Sequence, residues 1–239
     1  MTRSICIGID GCPYGWVGAT RERVVVDSSL AGLLEALDFV AERDIAAIDI
    51  PIGLADSGRR RCDEQARRCL GRPRQNSVFW TATRAAVYTE SHASATCINR
   101  QNQALGVSAQ AFRLFPRIRE VDRYLASDTM RAERIIEVHP ELAFARWHTD
   151  EPNRLAPMPY AKKSGLGAFD RLALVFQRYG REAIERVRAR YTTSQLADDD
   201  IADAYACLFS AERIAANRHM TLPAEPPRDT TGLPMRICF

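Results

Sequence analysis

Apolar runs separated by turn residues predict three strands at the start of the chain. Residues 4–10 form an apolar run that ends in an acid, and residues 11–15 have the Gly and Pro content of a tight turn. Residues 16–20 and 23–27 then read as a hairpin partner and a third strand. The hairpin predicts antiparallel neighbours in a sheet.

A helix and a fourth strand follow. Leucines recur at helical spacing in residues 28–43, where Ser28 or Ser29 can cap the helix. Residues 45–50 form another apolar run, which Pro51 ends. A strand–helix–strand unit predicts parallel pairing through a right-handed crossover. The first fifty residues therefore predict a mixed sheet with helices on its faces.

The composition and the hydrophobic pattern change twice in the rest of the chain. Residues from about 55 to 130 are rich in arginine and lean towards helix, whereas 135–144 returns to a strand pattern with Glu137 near its end. Helices are predicted at about 167–190 and 198–217. A loop with several prolines is predicted at 152–159, and the tail, 221–239, also has prolines and shows no clear period. We therefore expect one α/β domain over residues 1–239, with a mixed five-stranded sheet and a helical insertion between the fourth and fifth strands.

Composition narrows the class of protein without naming a function. The chain has 239 residues, of which 46% are hydrophobic and 26% charged, which is enough for one well-packed domain. Its start lacks the apolar run of a secretory signal, and no stretch reaches the roughly 18 apolar residues that span a bilayer. The seven cysteines include no Cys-x-x-Cys pair, so we expect buried thiols rather than disulfides or a zinc ribbon. A cytoplasmic protein without a membrane partner is the expectation.

Two acids end predicted strands. Asp10 ends the first strand and Asp49 lies at the end of the fourth. Ligand sites are commonly built at the carboxyl edge of such sheets, and an acid in an apolar strand is costly unless it is paired or bound to a metal. We expect the two carboxylates to project to one place, although a capping or turn role is the alternative for each.

Two further acids lie on a late helix, in the segment 198–208. Asp200 and Asp203 are one helical turn apart and flank the predicted apolar stripe, so a helix docked on the sheet would lean both towards the strand ends. The alternative is that acids stabilise the helix N-terminus through its dipole, which accounts well for Asp198 and Asp199. Asp199 is therefore a secondary candidate.

Four carboxylates without counter-charges would repel one another, and a hard cation resolves that repulsion. Oxygen-only ligation suits Mg²⁺ or Mn²⁺. Two such ions roughly 4 Å apart can activate water and stabilise the leaving oxygen in phosphodiester cleavage. Glu137 could be an additional ligand or support one, and His139 could orient a water or relay a proton. A role in the turn at Pro140 is the alternative for His139.

Arginines crowd one short segment and could grip a nucleic acid, because the guanidinium fork matches phosphate oxygens. The arginines in question are Arg59, Arg60, Arg61, Arg67, Arg68, Arg72 and Arg74. A solvated helix face is the alternative, and the net charge of +3 is too small to decide. Lys162 and Lys163 could touch a phosphate, but a solvated loop is the simpler interpretation.

A set of short motifs, spread over nearly the whole chain, carries a family resemblance. They are GIDGCPYGW, DIPIGL, RxCDxxARxxLG, SVF, IIEVHPE, KKSG and DDDIADA. Together they resemble domain-of-unknown-function family 429, whose members are regarded as predicted ribonuclease-H-like nucleases, and the order of the acids resembles the RuvC branch of that superfamily. The resemblance implies a ribonuclease-H-like fold, with Asp10, Asp49, Asp200 and Asp203 at metal-binding positions.

Three functions remain open at this point. A metal-dependent nuclease is the first hypothesis, with nucleic acid as the partner. The second is a nucleotide-dependent phosphotransferase of a related fold, although the chain has no second Gly-rich phosphate loop. The third is a non-catalytic module that binds a metal or a nucleic acid. The sequence does not specify an oligomeric state.

Overall fold

Five short strands form a mixed sheet in the computed structural model, which describes residues 4–149 and 155–239. The spatial order is β3-β2-β1-β4-β5. The strands are β1 (Cys6–Cys12), β2 (Gly15–Ala19), β3 (Val24–Asp27), β4 (Ile45–Ile48) and β5 (Ile135–Glu137). The predicted mixed five-stranded sheet is thereby confirmed.

The pairing brings three strand ends to one edge. The first three strands are antiparallel neighbours, whereas β4 is parallel to β1 and β5 is parallel to β4. Ile9 pairs with Ile48, which in turn pairs with Glu137. The residues that follow these positions in β1, β4 and β5 therefore lie side by side.

Ten helices accompany the sheet in the described part of the chain. Before and within the insertion they are α1 (Leu30–Ala36), α2 (Arg61–Arg74), α3 (Arg84–Val87), α4 (His92–Gln103), α5 (Ala109–Ala126) and α6 (Thr129–Arg134), with a 3₁₀ turn at Gln75–Ser77. After β5 they are α7 (Pro140–Trp147), α8 (Gly165–Tyr179), α9 (Arg181–Arg190) and α10 (Asp198–Ala215). Helices α2 to α6 lie between β4 and β5, where the insertion is predicted.

The two faces of the sheet are covered by different parts of the chain. Helix α10 lies directly on one face, since a Cβ at Gly8 would stand only 2.0 Å from the Leu208 nitrogen. The other face packs against α1 and the insertion, in a core that includes Ile9, Ile48 and Phe115. Because side chains alternate along a strand, neighbouring residues of β1, β4 and β5 belong to different faces.

The helix predicted over 28–43 is shorter than its pattern. Helix α1 starts as predicted, with the Ser29 hydroxyl accepting from the Gly32 N–H, but it ends at Ala36. Asp38 has a left-handed φ of 57°, and a right-handed helix cannot continue through that conformation. Leucine spacing alone does not reveal that reversal.

Two other predicted elements are also divided. The strand predicted over 135–144 ends at Glu137, because His139 caps α7 and Pro140 starts it. The helix predicted over 167–190 is two helices, since Gly180 has a φ of 84° between α8 and α9.

The C-terminal segment contains two short strands that its sequence pattern does not predict. Two antiparallel strands, β6 (Thr221–Leu222) and β7 (Ile237–Cys238), form a small second sheet. Residues 152–154 of the predicted proline-rich loop lie outside the described residues.

The cysteines and the helices match two of the compositional expectations. All seven cysteines are free thiols, and Cys62 and Cys69 pack in one core cluster beneath α2. No helix among the described residues is long and apolar enough to cross a membrane.

Candidate functional site

Asp10 and Asp49 lie next to each other at the shared edge of the sheet. Each follows a residue of the pair Ile9 and Ile48, and the Asp49 N–H donates to the Ile9 carbonyl at 3.0 Å. Asp10 is buried, and its Oδ1 accepts from the Gly11 N–H at 2.7 Å. Both acids are two residues beyond positions that face α10, so alternation directs both carboxylates towards that helix.

Helix α10 brings the other two predicted acids to the same edge. Asp203 is buried, with 4% of the residue exposed, and its Oδ1 has no hydrogen-bond partner within the described ranges. Asp200, one turn earlier, is half-buried. Its Oδ2 accepts from the Ala197 N–H at 3.3 Å, so Asp200 also helps to cap the helix.

The carboxylates raise one another's affinity for protons. Burial raises the pKa of Asp10 well above its usual range, and the charges of Asp203 and Asp49 add to that rise. Burial also raises the pKa of Asp203 to about 7, against the lowering effect of Lys162. The pKa values of Asp49 and Asp200 are raised as well, in each case mainly by burial. Burial, with neighbouring carboxylates as a smaller cause at Asp10 and Asp203, therefore favours the protonated form of these acids.

Lys162 is a site residue that sequence reasoning assigned to a solvated loop. Its ammonium contacts the Oδ2 of Asp203 and lies 3.3 Å from a carboxylate oxygen of Asp199. Burial alone would lower the pKa of Lys162, but Asp203 raises it above its usual range. The KKSG motif is the sequence signal, although nothing local to it indicates which acid the lysine meets.

Glu137 lines the same cleft as Asp10 and Asp49, but its carboxylate is on the other face of the sheet and is paired with Arg60, so its role as a ligand stays a prediction. It lies on the same face of β5 as Ile135, which packs in the core of the insertion, so alternation directs it away from α10. Both of its oxygens accept from the guanidinium of Arg60, at 2.5 and 2.9 Å. Arg60 itself is 2% exposed and also bonds Asp63. The prediction that Arg60 grips nucleic acid is therefore wrong, because its side chain is buried in ion pairs.

His139 has both ring nitrogens engaged with backbone. Nδ1 accepts from the Glu141 N–H at 3.2 Å as the cap of α7, and Nε2 lies 3.3 Å from the Ser77 carbonyl. The structural alternative at Pro140 describes this arrangement, which leaves neither nitrogen free to relay a proton.

The rest of the arginine cluster divides into engaged and exposed side chains. The guanidinium carbons of Arg59 and Arg67 each lie 4.6 Å from the ring centroid of Trp80. Arg74 donates to the carbonyls of Met158 and Pro159. Arg61, Arg68 and Arg72 are exposed, and Arg68 forms a long ion pair with Glu64 at 3.8 Å. Nucleic-acid binding by these arginines stays a prediction.

A cleft opens at the acidic edge and is shared between the sheet and the insertion. It has a volume of about 130 Å³, and Asp10, Asp49, Glu137 and His139 line its sheet side, with Asp63 of α2 beside them. The insertion supplies Thr81 and Arg117 to the same cleft. A small anionic group could reach the carboxylates from this side.

The carboxylates at the acidic edge have the right chemistry to bind a divalent cation, but their present arrangement does not form a binding site. Carboxylate oxygens are the ligands that Mg²⁺ and Mn²⁺ prefer, and the unpaired Oδ1 of Asp203 is one that an ion would satisfy. As the side chains lie, residues 4–149 and 155–239 contain no group of three Asp, Glu, His or Cys able to hold one ion. Loading would require Lys162 to release Asp203 and the carboxylates to turn inward.

Fold and site together define an α/β protein with an acidic cleft at the carboxyl edge of a mixed sheet. A family described as "Protein of unknown function (DUF429)" matches residues 8–228, and the chain belongs to that family. No curated protein and no solved structure matches the chain significantly.

Proposed function

We propose that this protein is a divalent-metal-dependent nuclease with a ribonuclease-H-like fold. The mixed five-stranded sheet flanked by helices supports the fold, and the acids at its edge support the chemistry. Asp10, Asp49 and Asp203, with Asp200 beside them, would hold Mg²⁺ or Mn²⁺. The substrate would be a phosphodiester of a nucleic acid.

The observation that best supports the proposal is the Oδ1 of Asp203, which has no hydrogen-bond partner among the described residues. A buried carboxylate oxygen without a donor is costly, and this one lies among acids that already repel it. Such an arrangement is destabilising unless a ligand of opposite charge completes it. A divalent cation is the ligand that oxygen donors of this charge select.

Hydrolysis adds the hydroxyl of a water molecule to phosphorus, breaks the bond to the leaving oxygen, and gives that oxygen the remaining proton. A bound divalent ion would supply charge neutralisation to the phosphate and acidity to a water. The protein itself would hold the acidic side chains in place and set their protonation state. Because the pKa of Asp203 is about 7, its carboxyl can hold a proton at neutral pH until a cation displaces it.

Lys162 has a second task in this scheme. Its ammonium neutralises part of the acidic site in the metal-free chain, through Asp203 and Asp199. If a cation displaced it from Asp203, the same ammonium would still have Asp199 as a neighbour and could attract a phosphate.

A calorimetric titration with Mn²⁺ tests the metal site. Wild type should bind Mn²⁺, while Asp10→Asn and Asp203→Asn should lose that binding because each removes one charged ligand of similar shape. Asp198→Asn is the matched control, since Asp198 is on the same helix but is exposed and paired with Arg188. Retained binding in both site variants would refute the assignment.

Cleavage of end-labelled DNA and RNA, single- and double-stranded, tests the activity. Wild type should cleave at least one of them in Mn²⁺ or Mg²⁺, and the two site variants should not. Metal binding without cleavage of any of the four would instead support the non-catalytic module.

A further inference from the structure

Arg117 of helix α5 reaches the acidic cleft from the insertion. Its guanidinium lies flat against the backbone at Gly11, where an added Cβ would stand 3.1 to 3.4 Å from Nη1, Cζ and Nε. The same cleft is lined by Asp10 and Asp49. Arg117 carries no sequence signal of its own, because it lies in a helix outside the arginine cluster.

The donors of Arg117 are largely uncommitted. Nη2 donates to the Cys12 carbonyl, whereas Nε and Nη1 have no hydrogen-bond partner within the described ranges. No carboxylate of the described residues forms an ion pair with it. Arg60, Arg84 and Arg171, by contrast, are each ion-paired with a carboxylate. Arg117 thus presents a positive charge and free N–H groups to the cleft.

Neighbouring contacts hold this guanidinium in place. It lies over the ring of Trp16, 5.8 Å from the ring centroid. Trp16 is buried, and its Nε1 donates to Glu120, one turn further along α5. Glu120 also accepts from the Leu30 N–H at the start of α1. The position of Arg117 is therefore set by the packing of the insertion against the sheet.

We propose that Arg117 binds the non-bridging oxygens of the substrate phosphate at the acidic cleft. Ionised carboxylates at the cleft repel a phosphate, and a fixed cation at the cleft wall would offset part of that repulsion. The N–H groups of Nε and Nη1 that have no partner can donate to phosphate oxygens, and the fixed positive charge strengthens such bonds. This inference rests on the proposed function only in taking the substrate to be a phosphodiester.

Binding of a fluorescently labelled single-stranded oligonucleotide, followed by anisotropy in EDTA and again in Ca²⁺, tests the role of Arg117. We expect Arg117→Gln to weaken binding by about tenfold, as the loss of a charged hydrogen-bonding pair does. The dependence of log affinity on log salt should become shallower by about one phosphate contact. Arg113→Gln is the matched control, because Arg113 is an exposed arginine one turn away on the same helix.

Two further variants keep the test valid if Arg117→Gln folds poorly. Arg117→Lys keeps the positive charge but replaces the planar guanidinium with a single ammonium group, so it should bind the oligonucleotide with intermediate affinity. Gly11→Ala keeps the arginine but crowds its guanidinium, so it should weaken binding in the same direction. Thermal melts of all variants show whether they are folded.

The outcomes separate this inference from the proposed function. Affinity and salt dependence equal to wild type in Arg117→Gln would overturn the role of Arg117, whatever Mn²⁺ does. Oligonucleotide binding that depends on Arg117 in a protein that binds no Mn²⁺ would uphold Arg117 and refute the metal-dependent nuclease. No oligonucleotide binding by wild type in either buffer would overturn the inference.

Discussion

Two groups of buried charges meet at one edge of the sheet, on opposite faces, and they are balanced differently. On the insertion face, Arg60 lies between Asp63 and Glu137. It bonds both carboxylates and also donates to the carbonyls of Ile52 and Gly53. We call this the Arg60 cluster. Its guanidinium nitrogens all have acceptors, and the group needs no ligand to be stable.

On the α10 face, Asp10, Asp49 and Asp203 share a single nearby lysine, Lys162. Burial raises the pKa values of all three acids, as it also raises the pKa of Glu137 in the Arg60 cluster to about 7, but one oxygen of Asp203 has no partner in the described part of the chain. Buried acids alone therefore do not distinguish a functional site from a structural ion pair. The distinguishing feature is whether the surrounding cations and donors satisfy them.

Removing the cation of the Arg60 cluster should have the largest effect. Arg60→Met leaves Asp63 and Glu137 buried without a counter-charge, and we expect a loss of about 4 kcal/mol in the free energy of unfolding. Urea denaturation of the variant and wild type measures this loss.

Arg68→Met is the control for that variant. Arg68 is on the same helix, but its side chain is 77% exposed and its ion pair with Glu64 spans 3.8 Å. We expect a change within about 0.5 kcal/mol. Equal effects of the two substitutions would contradict the view that the Arg60 cluster is structural.

Separating α10 from the sheet should destabilise the face that carries Asp10, Asp49 and Asp203, including the hydrophobic core beneath α10. A Cβ at Gly8 would lie 2.0 Å from the Leu208 nitrogen and 2.1 Å from the Ala204 oxygen, so in Gly8→Ala the helix backbone must move. We expect a cost of about 3 kcal/mol in urea denaturation, at the upper end of what overpacking costs. Gly165→Ala should be nearly neutral by the same measurement, since nothing lies within 4 Å of its added Cβ. A stable Gly8→Ala protein would mean that α10 is held less closely than described.

Sequence reasoning located the acids because strand patterns are local. Asp49 directly follows β4, whereas Asp10 lies within β1, which continues to Cys12 rather than ending at the acid, and parallel pairing places the two acids side by side. The same reasoning failed for Glu137, because the face of a three-residue strand depends on its register with β4. An acid at a strand end is visible in sequence, but the face it occupies is set by tertiary structure.

Basic residues were less predictable than acidic ones. Arg60 belongs to a dense cluster yet is buried, whereas Lys162 and Arg117 reach the site from segments with no local signal. Long side chains find their partners across the fold, at separations such as the 41 residues between Lys162 and Asp203. Helix ends at Asp38 and Gly180 were missed for a related reason, since a single left-handed φ interrupts an otherwise periodic pattern.

The acidic group should make folding stability depend on pH in a direction opposite to that of a salt bridge. The pKa of Asp203 rises from 3.8 to about 7 on folding, and that of Asp10 rises well above 3.8. Between these limits the folded state binds more protons than the unfolded state, so the free energy of unfolding falls as pH rises from about 4 to about 7.

Asp10→Asn removes one repelling charge and retains the oxygen that accepts from Gly11. In EDTA we therefore expect it to be more stable than wild type by on the order of 1 kcal/mol near pH 8, and equal to it near pH 4. Urea denaturation across that range measures the difference, and Asp198→Asn should stay within about 0.5 kcal/mol of wild type throughout. An Asp10→Asn protein that is less stable than wild type near pH 8 would show that the carboxylate is satisfied in the metal-free chain, and the contrast with the Arg60 cluster would fail.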